Sequence, residues 1–219
     1  MEITKRELGQ RNRKNVVKCK NPKKSQETYT GWSKTYDEEL DALNYQSPQY
    51  AAKMFGKYSD GVKAVLDIGT GTGKAAELIR KKYGYEGVLD ILDANLGMLV
   101  QADKKGFNIR NIIRHWVDQR GDLPVKDESY DVITCTGSFG PNHIPVTALT
   151  GLIKSLKHGS LFILTVGIPE NNSYTLEFHR FLHNMIDAKE VELVEKEEYQ
   201  NFPNALDEVV HVVLVLKRS

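Results

Sequence analysis

The run Val65-Leu66-Asp67-Ile68-Gly69-Thr70-Gly71-Thr72-Gly73-Lys74 constrains the fold more than any other stretch. An apolar segment leads into an acid, and the acid into three glycines spaced by two. A helical pattern then begins with Ala75, Ala76, Leu78 and Ile79. Glycines in such a strand-to-helix passage let the backbone turn sharply. They also let a ligand lie against bare main chain, facing the unpaired N–H groups of the helix start.

Three nucleotide-type readings compete for this loop. A phosphate-cradling loop needs Gly, four residues, Gly-Lys, then Ser or Thr. Counting back from Gly73-Lys74 places Ile68 at the first glycine position and Ala75 at the hydroxyl position, so the match fails twice. The dinucleotide fingerprint needs its third glycine three residues after the second; Lys74 stands there. The remaining pattern is acid-x-Gly-x-Gly-x-Gly at the end of a first strand. An acid two residues before the glycines suits a ligand with a positive end better than a pyrophosphate. The bland alternative, a tight turn without a ligand, leaves the acid unexplained.

Downstream, hydrophobic patterning predicts alternating strands and helices. The second strand is 88–93, and its last residue, Asp93, stands twenty positions after Gly73. An acid at that lip can accept hydrogen bonds from both ribose hydroxyls of a nucleoside, whereas Asp90 falls inside the strand. A helix follows to Lys105. The third strand is 111–117, the fourth 130–136, and the fifth 161–166, with a helix over 145–157. A helix over 174–186 and strands over 191–199 and 209–216 complete the chain. In an open parallel sheet, ligands sit at the carboxyl ends of the strands where strand order reverses. The loop Gly137–His143 therefore faces the reacting group.

Residues 1–28 are polar and basic, with few apolar positions, and read as a flexible, solvated tail. No aromatics interleave with the charges, so no base-stacking platform is visible. Order is expected from Tyr29. Trp32, Tyr36, Leu40 and Leu43 follow a helical spacing, and Ser47-Pro48 reads as an N-cap with proline at the first helical position of a second helix. Residues 29–60 are placed as a helical lid over the ligand mouth.

The stretches Asp67–Gly73, Asp93 with Met98-Leu99, and Asp122–Val132 resemble the class I S-adenosylmethionine (SAM) methyltransferases. With Tyr29-Thr30-Gly31-Trp32-Ser33-Lys34-Thr35-Tyr36-Asp37 in front, the chain is most similar to the methyltransferase-like proteins of the Williams–Beuren syndrome region. The resemblance covers residues 29–219. It implies an α/β, Rossmann-like, seven-stranded, mostly parallel sheet with an antiparallel last strand, helices on both faces and an N-terminal helical lid. It implies SAM as cofactor. Asp67 would hold its methionine end, directly or through water and main chain. Gly69, Gly71 and Gly73 would admit it, and Asp93 would bind the ribose. Asp118 or Gln119 would read the adenine amino group, and Trp32, Tyr36, Thr70, Ala94, Met98 and Thr136 would complete the cofactor set. The Asn/Asp-Pro-Pro-Tyr/Phe motif of amino-directed enzymes is missing after strand four. No catalytic set is legible; Tyr36 and His143 are the candidates for a general base.

With a net charge of +1 and no apolar run near the ~20 residues of a membrane span, no membrane partner is expected. Cys19 and Cys135 lie in unlike settings, so neither a disulfide nor a metal site is expected. The N-terminus lacks an apolar secretory core, which points to the cytoplasm, with the nucleus left open. The expected protein is a monomer acting on a small-molecule or protein acceptor. The alternatives are a non-catalytic SAM-binding module and a nucleic-acid methyltransferase that uses the basic arm.

Overall fold

A computed structural model describes residues 3–19, 21–168, 172–206 and 210–219. Four helices come first: α1 Lys5–Val17, α2 Pro22–Trp32, α3 Tyr36–Ala42 and α4 Ser47–Lys57. The alternating part follows as β1 Ala64–Ile68, α5 Lys74–Lys81, β2 Val88–Asp93, α6 Leu96–Lys104, β3 Asn111–Arg114 and β4 Tyr130–Phe139. A 3-10 turn, Val146–Ala148, leads into α7 Leu149–Lys154. Then come β5 Leu156–Gly167, α8 Ser173–Asp187, β6 Val191–Gln200 and β7 Val210–Arg218.

The strands form one seven-stranded sheet in the order β3-β2-β1-β4-β5-β7-β6. β1 lies parallel to β2 and β4, and β7 runs antiparallel between β5 and β6. This is the expected architecture. The interior strands are buried on both faces, which is why they read as apolar runs. Their side chains alternate between two layers. Phe162, Leu164 and Val166 of β5 join Leu149, Leu152, Phe178 and Leu182 from α7 and α8. Ile163, with Val213 and Val215 of β7, joins Met54, Phe55, Ile79 and Leu99 from α4, α5 and α6. Strand order reverses between β1 and β4, so their carboxyl ends open a crevice.

The first 28 residues depart from the expected tail. Thr4 and Glu7 form a reciprocal capping box that starts α1, and Asn21 caps α2 with Pro22 in its first turn. α1 packs on α3: Asn12 Nδ2 donates to Glu39 Oε2 at 2.8 Å, and a Cβ on Gly9 would stand 2.8 Å from the Glu39 carbonyl oxygen. Val16 is buried with Trp32, Leu40, Leu43 and Phe202 in a third apolar cluster. Too few apolar residues made this contact for periodicity to show it. The helix expected through Trp32 and Leu43 is broken at 33–35. Ser47 is not the cap of α4, whose N-cap is Gln46; its hydroxyl bonds Tyr199 Oη and Asn201 Oδ1, both at 2.7 Å.

Several boundaries shift. β3 stops at Arg114, short of Val117. β4 continues to Phe139, and β5 begins at Leu156. The helix expected over 145–157 is the 3-10 turn plus the shorter α7. Val209, placed in the last strand, lies outside the described residues. No helix among the described residues is long and apolar enough to cross a membrane.

A folded α1 makes a direct prediction. Its amides from Gly9 to Val17 should exchange with solvent on the order of tenfold or more slower than those of an unstructured peptide. Free-peptide rates would restore the tail.

Candidate active site

The crevice is built around two carboxylates. Asp67, at the end of β1, is buried. Its two oxygens accept from Thr70 Oγ1 at 2.5 Å and Thr134 Oγ1 at 2.6 Å. Burial pushes its pKa up to about 6, although both hydroxyls oppose that shift. Asp93, at the end of β2, accepts from the Gly71 N–H at 2.8 Å and the Asn95 N–H at 2.7 Å. Burial raises its pKa as well. A carboxylate offers about four acceptor positions, so Asp93 keeps acceptor capacity beyond its backbone donors.

The glycines have separate tasks. Gly69, at φ 61°, has no space for a side chain, since a Cβ would come within 2.1 Å of Ser138 Oγ. Gly71, at φ 56°, would meet nothing within 4 Å, so its open face borders free space. Gly73 caps α5, and a Cβ there would press on Phe107 at 2.8 Å. It serves helix packing rather than the crevice.

A cavity of about 900 Å³ occupies the crevice. Of the residues expected around a cofactor, Tyr36, Gly69, Thr70, Gly71, Asp93, Ala94, Met98 and Thr136 line it, and so does His143. Asp67 and Gly73 stand behind it, holding the loop. Trp32 is elsewhere: its indole N–H donates to Glu39 Oε2 at 2.7 Å in the third apolar cluster. Asp118 and Gln119 are also outside. Because β3 ends early, His115, Trp116 and Val117 reach the cavity instead. Asp118 turns to the backbone N–H and guanidinium of Arg120, which hold its pKa down, and Gln119 is exposed.

Sequence reasoning missed the residues that close the lid. Asn95 caps α6 through its Oδ1, which accepts from the Met98 N–H at 3.1 Å. Its amide nitrogen donates upward to the Gln26 carbonyl and Thr30 Oγ1 of α2, both at 2.9 Å. Thr72 Oγ1 donates to Asp37 Oδ1 at 2.5 Å. Lys74 and Lys105 reach Asp41 and Asp37 at 2.5 and 2.6 Å. On the far side, Asn142 Nδ2 donates to the Cys19 carbonyl at 2.6 Å, and Tyr29 bonds His143. Gln26, Tyr29 and Tyr45 thereby join the cavity wall. The cap pattern of Asn95 was a usable signal; its second bond, to a segment read as tail, was not.

A second cavity of about 1070 Å³ adjoins the first. Tyr29, Tyr36, Tyr45, Gly137 and His143 border both.

Comparison with known proteins agrees with this geometry. Residues 65–159 match the family model of a methyltransferase domain. Solved structures share the fold at low identity. A SAM-dependent methyltransferase of Thermotoga maritima, described as a possible histamine N-methyltransferase, is 16% identical with a TM-score of 0.57, covering 87% of this chain and 98% of its own. One from Aquifex aeolicus is 17% identical with a TM-score of 0.56, covering 85% and 97%. The YcgJ protein of Bacillus subtilis is 18% identical with a TM-score of 0.55, covering 78% and 99%. No curated protein matches the chain in sequence. Residues 65–159 are thus similar to a methyltransferase domain, and the fold is the one found in solved SAM-dependent methyltransferases.

The residues present fit the cofactor, S-adenosyl-L-methionine. Thr136 Oγ1 is buried without a hydrogen-bond partner and borders the cavity, which is otherwise a cost of 1–3 kcal/mol. Asp93 has acceptor capacity left to face a ribose hydroxyl, and Gly71 offers open main chain.

Replacing Asp93 with alanine should weaken SAM by more than ~1 kcal/mol, about fivefold or more in Kd by calorimetry. Asp118→Ala and Gln119→Ala should leave Kd within about twofold. The reverse ranking would move the adenosine site. Asp67 makes a second prediction. Its folded pKa, about 6, exceeds the unfolded value of about 4, so the native state holds the extra proton between them. Its contribution to stability should therefore fall as pH rises from about 4 to about 6. Unfolding free energies of the wild type and Asp67→Asn should diverge across that window; parallel curves would contradict it.

Proposed function

We propose that this protein methylates a small-molecule acceptor bound in the second cavity. The observation that carries the reading is the shared wall. Tyr29, Tyr36, Tyr45, Gly137 and His143 separate a space suited to SAM from a second, aromatic-lined space under α1–α3. Bound SAM supplies an activated methyl group. The chain's own work is placement and exclusion of water, through the lid held down by Asn95, Asp37 and Asn142.

The reading extends to a monomer, because one chain's own helices complete both cavities. It needs neither a membrane nor a nucleic acid. Lys5 of the basic arm is paired with Glu38 at 2.6 Å, and α1 roofs the site rather than extending from it. Two buried, unpaired cysteines agree with a reducing compartment such as the cytoplasm. The Tyr29–Asp37 segment supports the affinity to the Williams–Beuren region methyltransferase-like proteins, since it supplies Tyr29, Tyr36 and Asp37 to the lid.

Calorimetry with SAM and S-adenosylhomocysteine should show binding of both below the high-micromolar range. Labelled SAM incubated with separated extract fractions should transfer label to the small-molecule fraction. Transfer confined to protein or nucleic acid, or binding without transfer, would overturn the proposal.

A further inference from the structure

The wall between the cavities contains a paired tyrosine and histidine. His143 Nδ1 lies 2.8 Å from the Pro141 carbonyl oxygen. A carbonyl can only accept, so Nδ1 carries the proton in the neutral ring and Nε2 keeps a lone pair. Nε2 lies 3.0 Å from Tyr29 Oη, so the phenol donates to it. The Tyr29 ring is fixed by Trp32, stacked at 6.2 Å, and stands edge-on to the imidazole at 5.8 Å. Tyr36, the other candidate base, makes no hydrogen bond to another described residue through its hydroxyl, and burial pushes its pKa well up, so its proton has no onward route.

The second cavity also states what it can hold. Trp32, Tyr36, Tyr45, Phe139, Tyr174 and Phe202 give it aromatic walls. Among the described residues that line it there is no aspartate or glutamate, and Arg13 is the one permanently charged side chain, its guanidinium 4.6 Å over the Phe202 ring. An ammonium would meet no carboxylate among the described residues that line the cavity. A flat, neutral ring would meet faces and edges of its own kind.

We propose that Tyr29 and His143 form a proton relay for the acceptor, and that the acceptor is a neutral aromatic hydroxyl compound, a phenol. This rests on the small-molecule reading above. The acceptor's O–H proton passes to Tyr29 Oη as the Tyr29 proton passes to His143 Nε2, leaving an imidazolium held by the Pro141 carbonyl. The freed oxygen pair forms the new O–CH₃ bond, and the pair of the broken S–CH₃ bond returns to sulfur. No further reactant is needed. Burial lowers the His143 pKa, so the ring is neutral and able to accept at physiological pH.

The test uses the full chain with 2-naphthol, 4-nitrophenol and tryptamine at about pH 8, where only 4-nitrophenol among them is already ionised as a nucleophile. 2-Naphthol should be methylated and tryptamine not. Tyr29→Phe keeps the ring packing and should lower kcat on 2-naphthol on the order of 100-fold. It should lose less than about fivefold on 4-nitrophenol, which has no proton to relay. In wild type, kcat on 2-naphthol should rise with pH through a pKa below the ordinary histidine value, and His143→Asn should abolish that limb. Nitrogen NMR of the unliganded protein should show His143 Nε2 unprotonated. Methylation of tryptamine in preference, equal losses on both phenols, a protonated Nε2, or SAM binding with neither phenol methylated would each overturn the relay. Failure to bind SAM at all would overturn the methyltransferase reading beneath it.

Discussion

The Asp67 carboxylate is the interaction on which the site depends. Its oxygens take hydroxyls from the glycine loop and from β4, so three segments meet at one buried group. A charge there is costly to bury, which is why its pKa rises and why both oxygens must be satisfied. Its gain is geometric: Thr70 is pinned, and the loop is turned so that Gly71 can reach Asp93. The second carboxylate then fixes the lip of β2. Asp93 holds the loop on one side and the start of α6 on the other, with acceptor capacity left over.

From those two anchors the lid follows. Asn95, placed by Asp93, caps α6 and holds α2 with the same side chain. Asp37 in the first turn of α3 and Asp41 near its end bond the far side of the glycine loop through Thr72 and Lys74. The N-terminal helices are therefore part of the crevice wall rather than an appendage to it. Their inner face also supplies Tyr29 and Arg13 to the second cavity, so the same closure that covers the crevice shapes the space beside it.

Much of the fold was legible because the sheet interior writes itself into the sequence. β1, β2, β4, β5 and β7 are apolar runs bounded by turn residues, and Asp67, Gly69, Gly71 and Asp93 sit at their lips. Those positions depend on local geometry, which spacing reports well. Asp118 and Gln119 fall outside the cavity because β3 ends three residues early, and a slip at a strand end brings His115, Trp116 and Val117 to its wall. Trp32 was assigned to the cofactor as an aromatic in the lid, yet its partner is Glu39, seven residues on. α1 was hidden because it is held by one glycine contact, Asn12 and Val16 amid many charges. Tertiary contacts of that kind leave no periodicity to count.

The most direct measurement is a crystal structure of the full chain with S-adenosylhomocysteine. The account predicts both ribose hydroxyls on Asp93, the adenine beside Trp116 and Val117, and the sulfur facing the wall of Tyr29, Tyr36 and His143. A ligand whose ribose avoids Asp93, or whose sulfur points away from that wall, would contradict it.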